Sequence, residues 1–130
     1  MTMRLSEAIS LGAMLHPQAF EMLRSPDGQT CALGAALDAV GGPQSSYLDL
    51  YCHWPDMLHL VVTHPVLGVR TFLEDAIAGL NDRHRWTREA IADWVETIED
   101  AGMAAHAAGP RAVALLKWLH TPQGLAPSRC

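Results

Sequence analysis

The stretch from Val69 to Glu99, VRTFLEDAIAGLNDRHRWTREAIADWVETIE, decides the fold class. Val69, Phe72, Leu73, Ala76, Ile77 and Leu80 recur at i, i+3, i+4, the spacing of one face of an α-helix. Beyond the corner Asn81–Arg85, a second stripe of Ile91, Trp94, Val95 and Ile98 has the same period. Thr87 suits the N-cap of that second helix, with Glu89 in its positive first turn. Trp86 and Ile91 are spaced as a hydrophobic staple across the cap. Asn81 suits a left-handed end for the first helix. The reading is two helices about a polar corner, and it predicts a helical protein.

Upstream, the punctuation is also helical. Ser6 is a candidate N-cap, and His16 before Pro17 ends the first helix, because a residue preceding proline is pushed out of the α region. Pro17 then opens a short second helix carrying Phe20, Met22 and Leu23. The Pro26–Asp27–Gly28 turn leads to TCALGAALDAVGG, in which Thr30 suits an N-cap and Gly41 a left-handed end. Gly34 and its neighbouring alanines leave a thin face that a second helix can approach closely. One or two helical turns follow in SYLDLYCHW, Pro55 restarts a helix through PDMLHLVV, and THPVLG is a break. Pro110 begins a last helix with Val113 and Leu116 on its inner face. The expectation is an all-α, single compact domain of about six or seven short helices over residues 1–120, with a flexible tail at 121–130.

Composition agrees with a globular chain. The sequence has 130 residues, 49% hydrophobic and 18% charged, enough for one core that buries roughly two-thirds of the unfolded surface. Aromatics make up only 6%, which disfavours extensive sheet. A formal charge of −5 disfavours nucleic-acid binding, for which a basic face is the usual signature. The only dense basic run is Arg83, Arg85 and Arg88. No apolar run approaches the roughly 20 residues that cross a bilayer, and no charged-then-apolar leader is present. Three cysteines, Cys31, Cys52 and Cys130, form no CxxC pair, which points to a reducing, cytoplasmic setting.

Three constellations bear on chemistry. Cys31 at a helix start would feel the positive end of the macrodipole, and His84 with Asp82 would complete a Cys-His-Asp set. No hydrolase signature surrounds Cys31, so a small cysteine filling space is the stronger reading. Seven histidines include no i, i+4 pair on one helix and no HExxH, so no metal site follows from spacing. The glycines of GAALDAVGG lack the spacing and the preceding strand of a phosphate loop.

The segments RLSEAISLGAMLHPQAF, TCALGAALDAVG and LNDRHRWTREAIADWVETIE together resemble a family of small bacterial and phage proteins. Many members carry Cys-Pro-x-Cys-Gly ahead of His-Leu-Asn-Asp-x-His-x-Trp, an arrangement similar to a Cys₂His₂ zinc site. The resemblance brings no activity with it. Laid on that pattern, the ligand positions fall at His64, Leu67, Gly79 and His84, with two, eleven and four residues between them. Leucine and glycine cannot ligate, so the resemblance implies a degenerate site, with no bound zinc and no other cofactor.

These readings favour a small soluble non-enzymatic domain acting through protein contacts, an accessory and phage-associated protein in the terms of the resemblance. Its contact surface is the corner, with Arg83, His84, Arg85 and Arg88 as the interacting residues, since arginine is enriched in binding hot spots. The partner is a protein, or a second copy in a homodimer, rather than nucleic acid or membrane. The alternatives are a cysteine-dependent hydrolase using Cys31, and a zinc-finger-like module that has lost its metal and contacts nucleic acid through Arg83, Arg85 and Arg88.

Overall fold

The computed structural model describes residues 3–42 and 45–107, with side chains to residue 102. The element order is α1 (Leu5–Ala13), α2 (Ala32–Val40), α3 (Tyr47–His53), β1 (Val61–Thr63), β2 (Arg70–Phe72), α4 (Leu73–Asp82) and α5 (Arg88–Ala107). The expected last helix from Pro110 and the tail at 121–130 lie outside the described residues.

The all-α expectation is overturned by β1 and β2, which pair antiparallel in the register Val61↔Phe72, Val62↔Thr71 and Thr63↔Arg70. The described residues hold five helices rather than six or seven. Two expected helices are replaced. The segment after Pro55 makes a short turn and then enters β1, where the adjacent valines Val61 and Val62 favour extended backbone. Residues after Pro17 form no helix and are held by single bridges, Gln18 and Arg24 each pairing with Thr30. Helix α4 begins four residues later than its apolar period suggests, because Val69 lies in the hairpin turn and Arg70–Phe72 belong to β2.

The core is one cluster in which Leu5, Ile9, Leu37, Leu50, Leu58, Leu73, Ile77, Leu80, Ile91 and Val95 have no exposed surface. Helix α1 packs on α2 and α5, and α2 also meets α4. The α1–α2 approach is close enough that a Cβ on Gly12 would fall 1.7 Å from the Ala35 carbonyl oxygen. Gly34 receives the Leu23 backbone instead of a helix: a Cβ there would lie 2.1 Å from the Leu23 oxygen.

Caps also differ from their sequence assignment. Cys31, not Thr30, precedes α2, and its Sγ accepts the Gly34 N–H at 3.4 Å. Arg4 precedes α1, while Ser6 is buried and bonded to α5. Thr87 does cap α5, its hydroxyl accepting the Ala90 N–H at 3.1 Å. Among the described residues no helix is long and apolar enough to cross a membrane.

Candidate interaction surface

The corner is built around a buried amide. Asn81 sits in the last turn of α4 with no exposed surface. Its Nδ2 donates to the Ala19 carbonyl at 2.9 Å and to Asp82 Oδ1 at 2.8 Å. Its Oδ1 accepts from Gln18 Nε2 at 2.9 Å and from the Ala32 N–H at 3.2 Å. Gln18 Nε2 also donates to the Trp86 carbonyl at 2.8 Å, so one amide joins both sides of the corner. Asn81 therefore ties the 18–19 loop to the start of α2, and the left-handed residue of the corner is Arg85, with φ +55°. Arginine in that region is uncommon, and it is held there by its own contacts. The Arg85 guanidinium lies 4.0 Å from the centre of the Phe20 ring, a cation–π contact.

The four residues expected at the contact surface separate into distinct environments. Arg83 is exposed and makes no ion pair among the described residues. Arg85 is exposed over Phe20. His84 is half-buried, its ring centre 5.3 Å from that of His64. Arg88 turns inward and is 5% exposed. Its two terminal nitrogens donate to Thr30 Oγ1 at 2.9 Å, to the Thr30 carbonyl at 3.2 Å, and to the carbonyls of Ala13 at 3.2 Å and His16 at 2.7 Å. Those last two carbonyls lie at and just past the end of α1, where a cation also complements the helix dipole. Burial lowers the Arg88 pKa, with nearby acidic groups opposing the shift. Arg88 is thus removed from any contact surface by its internal bonds.

The partner of His84 was not apparent from sequence spacing. His64 follows β1 and is buried, and its Nδ1 accepts the backbone N–H groups of Val66 and Leu67, each at 3.1 Å. Two further bonds close the turn: the His64 N–H to the Val69 carbonyl at 2.7 Å, and the Gly68 N–H to the His64 carbonyl at 2.9 Å. Gly68 takes φ +72°, which glycine adopts without strain. Because Nδ1 accepts, the ring is neutral with its proton on Nε2. Burial and then the neighbouring His84 both lower the His64 pKa. The sequence signal for this turn is a side-chain acceptor two and three residues before the N–H groups it receives, the habit of turn-forming side chains.

Gly79 completes the neighbourhood, since a Cβ there would lie 3.6 Å from His64 Nε2. His64, Leu67, Gly79 and His84 are therefore neighbours in space. They do not fit a four-ligand zinc site: Leu67 and Gly79 carry no ligand atom, and His64 Nδ1 is occupied by two amides. Among the described residues no group of three or more His, Cys, Asp or Glu is placed to hold a metal ion.

The hydrolase set is only partly assembled. Cys31 and Asp82 line one pocket of about 200 Å³, together with Met22, Leu23, Ile77 and Asn81. His84 instead faces His64. Burial pushes the Cys31 thiol pKa up despite the Gly34 N–H, so the group is a neutral thiol near neutral pH.

A second polar cluster lies at the other end of the hairpin–α4 unit. Tyr47 and Tyr51 each donate to Glu74 Oε2 at 2.6 Å, and His59 Nε2 lies 2.9 Å from Glu74 Oε1. Glu74 is 8% exposed, and its partners explain how a carboxylate is tolerated in the first turn of α4. Comparisons with protein-family models, curated proteins and solved structures return no match.

Proposed function

We propose that this chain is a non-enzymatic protein-interaction domain whose contact surface joins the α4–α5 corner to the hairpin tip. The observation that carries the reading is the His64–His84 packing, with ring centres 5.3 Å apart. It brings the segment that carries Arg83 against the segment that carries the exposed hairpin turn. The rest of the corner is engaged internally: the Asn81 amide, Asp82 Oδ1 and both terminal nitrogens of Arg88 are bonded within the fold. A neutral Cys31 thiol and a His84 turned away from it favour this reading over the hydrolase. An accessory, phage-associated role accords with the family resemblance.

Photo-crosslinking in the native host tests the proposal. A photoreactive residue replacing Leu67 or Arg83 is expected to give discrete adducts with another protein. The same residue replacing Glu96, exposed on α5, serves as the control and is expected to give none. Equal yield from all three positions, or no adduct from positions 67 and 83, overturns the interaction reading.

A further inference from the structure

We propose that the hairpin tip, with its exposed valines and leucine set between unpaired arginines, docks an acidic segment of a partner protein that carries apolar side chains. The inference rests on the interaction reading above and adds the chemistry of the partner.

The first support is apolar exposure on a rigid frame. Val66, Leu67 and Val69 are 48%, 56% and 54% exposed. Clusters of this kind on a soluble surface mark contact sites more often than isolated apolar residues do. The turn that presents them is fixed by four hydrogen bonds to His64: two at Nδ1, one to its carbonyl and one from its N–H. A partner therefore meets an ordered surface, and little conformational entropy remains to be lost on binding.

The second support is the distribution of charge. Six arginines lie among the described residues. Arg4 pairs with Glu99 and Asp100, Arg24 pairs with Asp38, and Arg88 is buried on carbonyls. The other three, Arg70, Arg83 and Arg85, have no carboxylate partner among the described residues. Arg70 pairs with Thr63 across the hairpin, directly before His64, and Arg83 and Arg85 flank His84. The nearby carboxylate of Asp82 is engaged with the Glu21 N–H and Asn81, beside the loop rather than the hairpin. Among the described residues, this chain of net charge −5 thus carries the arginines that lack a carboxylate partner on the hairpin and the corner, at one end of the hairpin–α4 unit. Such an end attracts and orients an acidic partner.

Nucleic acid fits the same surface less well. Three cations neutralise few phosphates, and Val66, Leu67 and Val69 gain nothing from a phosphate backbone. An acidic segment with interspersed leucine or phenylalanine satisfies both features.

The test uses the full chain, ¹⁵N-labelled, titrated with a synthetic peptide alternating glutamate with leucine and phenylalanine. Control titrations use the same peptide with lysine for glutamate, polyglutamate, and a short DNA duplex. The acidic apolar peptide is expected to shift the amide resonances of residues 64–72 and 83–85. Affinity should fall about tenfold or more in the Arg70→Glu/Arg83→Glu variant and in Leu67→Glu. Unchanged melting temperatures would establish that both variants fold. Stronger binding of the lysine peptide or of DNA at the tip overturns the proposal. So does self-association through the tip without peptide, and so do shifts confined to other residues. If crosslinks form at positions 67 and 83 while the acidic peptide fails to bind, the partner chemistry falls and the interaction reading stands. If neither occurs, both fall.

Discussion

His64 is the residue on which the hairpin turn depends, and its titration has a definite sign. Its pKa in the folded chain is lowered, by burial first and by His84 second. In the unfolded chain it takes a proton near the usual histidine value of about 6.5. Its contribution to stability is therefore full above that value and is lost as pH falls towards the lower folded pKa. Protonation also places a hydrogen on Nδ1, so the ring can no longer accept from the Val66 and Leu67 N–H groups. An asparagine Oδ1 can accept the same two N–H groups without titrating. His64→Asn should thus match the parent melting temperature at pH 8 and exceed it at pH 5; a constant difference between the two across that range would refute the assignment. The tyrosines make a second residue-level case, because the sequence has only two and both bond Glu74. Burial and then Glu74 push Tyr51 up to about 12, and Tyr47 moves in the same direction. Spectrophotometric titration should show no tyrosinate near pH 10.5, where about three-quarters of free tyrosine is ionised. Tyrosinate appearing at that pH in folded protein would show the Glu74 cluster to be open.

At the scale of elements, the close approach of α1 to α2 turns on Gly12. A methyl group there would meet the Ala35 carbonyl oxygen, which belongs to helix backbone and cannot rotate away. Gly12→Ala should therefore destabilise the chain by about 3 kcal/mol, as overpacking does, although alanine is intrinsically the better helix former. A denaturant midpoint unchanged by this substitution would contradict the packing. Longer elements were the more legible in the sequence. The Ile91–Ile98 stripe and the Thr87 cap locate α5 because its period repeats over several turns. The strands were hidden because Val61–Thr63 and Arg70–Phe72 are three residues each, too short for alternation to declare itself. Phe72 and Val69 also fell by chance on the helical period of α4, so the hairpin read as an extension of that helix. The thin face of α2 was visible in its glycine and alanines, whereas which backbone would approach Gly34 was not.

On the scale of the whole molecule, what escaped the sequence is mostly polar contact between distant segments. The corner could be seen to hold Asn81, His84 and the arginines, but nothing local showed that Arg88 crosses to Ala13 and His16, or that His84 meets His64. The same kind of contact fixes α5 against α1 at both ends. At one end Glu99 accepts from the Ser6 N–H at 3.1 Å and from the Ser6 hydroxyl, and it pairs with Arg4 at 3.1 Å. At the other, Arg88 caps the end of α1 and holds Thr30. The two side chains leave one helix eleven residues apart, or about 16 Å along its axis. Glu99→Ala removes a carboxylate that satisfies the first turn of α1 and should cost about 1–2 kcal/mol. Arg88→Leu leaves the Ala13 and His16 carbonyls and the Thr30 hydroxyl without their Arg88 donor and should cost about 3 kcal/mol. Sites this far apart with no shared partner normally add to within about 0.5 kcal/mol. The double variant should then lose the sum of the two, measured by denaturant unfolding with an unchanged slope. A shortfall beyond about 1 kcal/mol would mean that releasing either end already frees α5 along its length, and that the two clamps act as one cooperative unit.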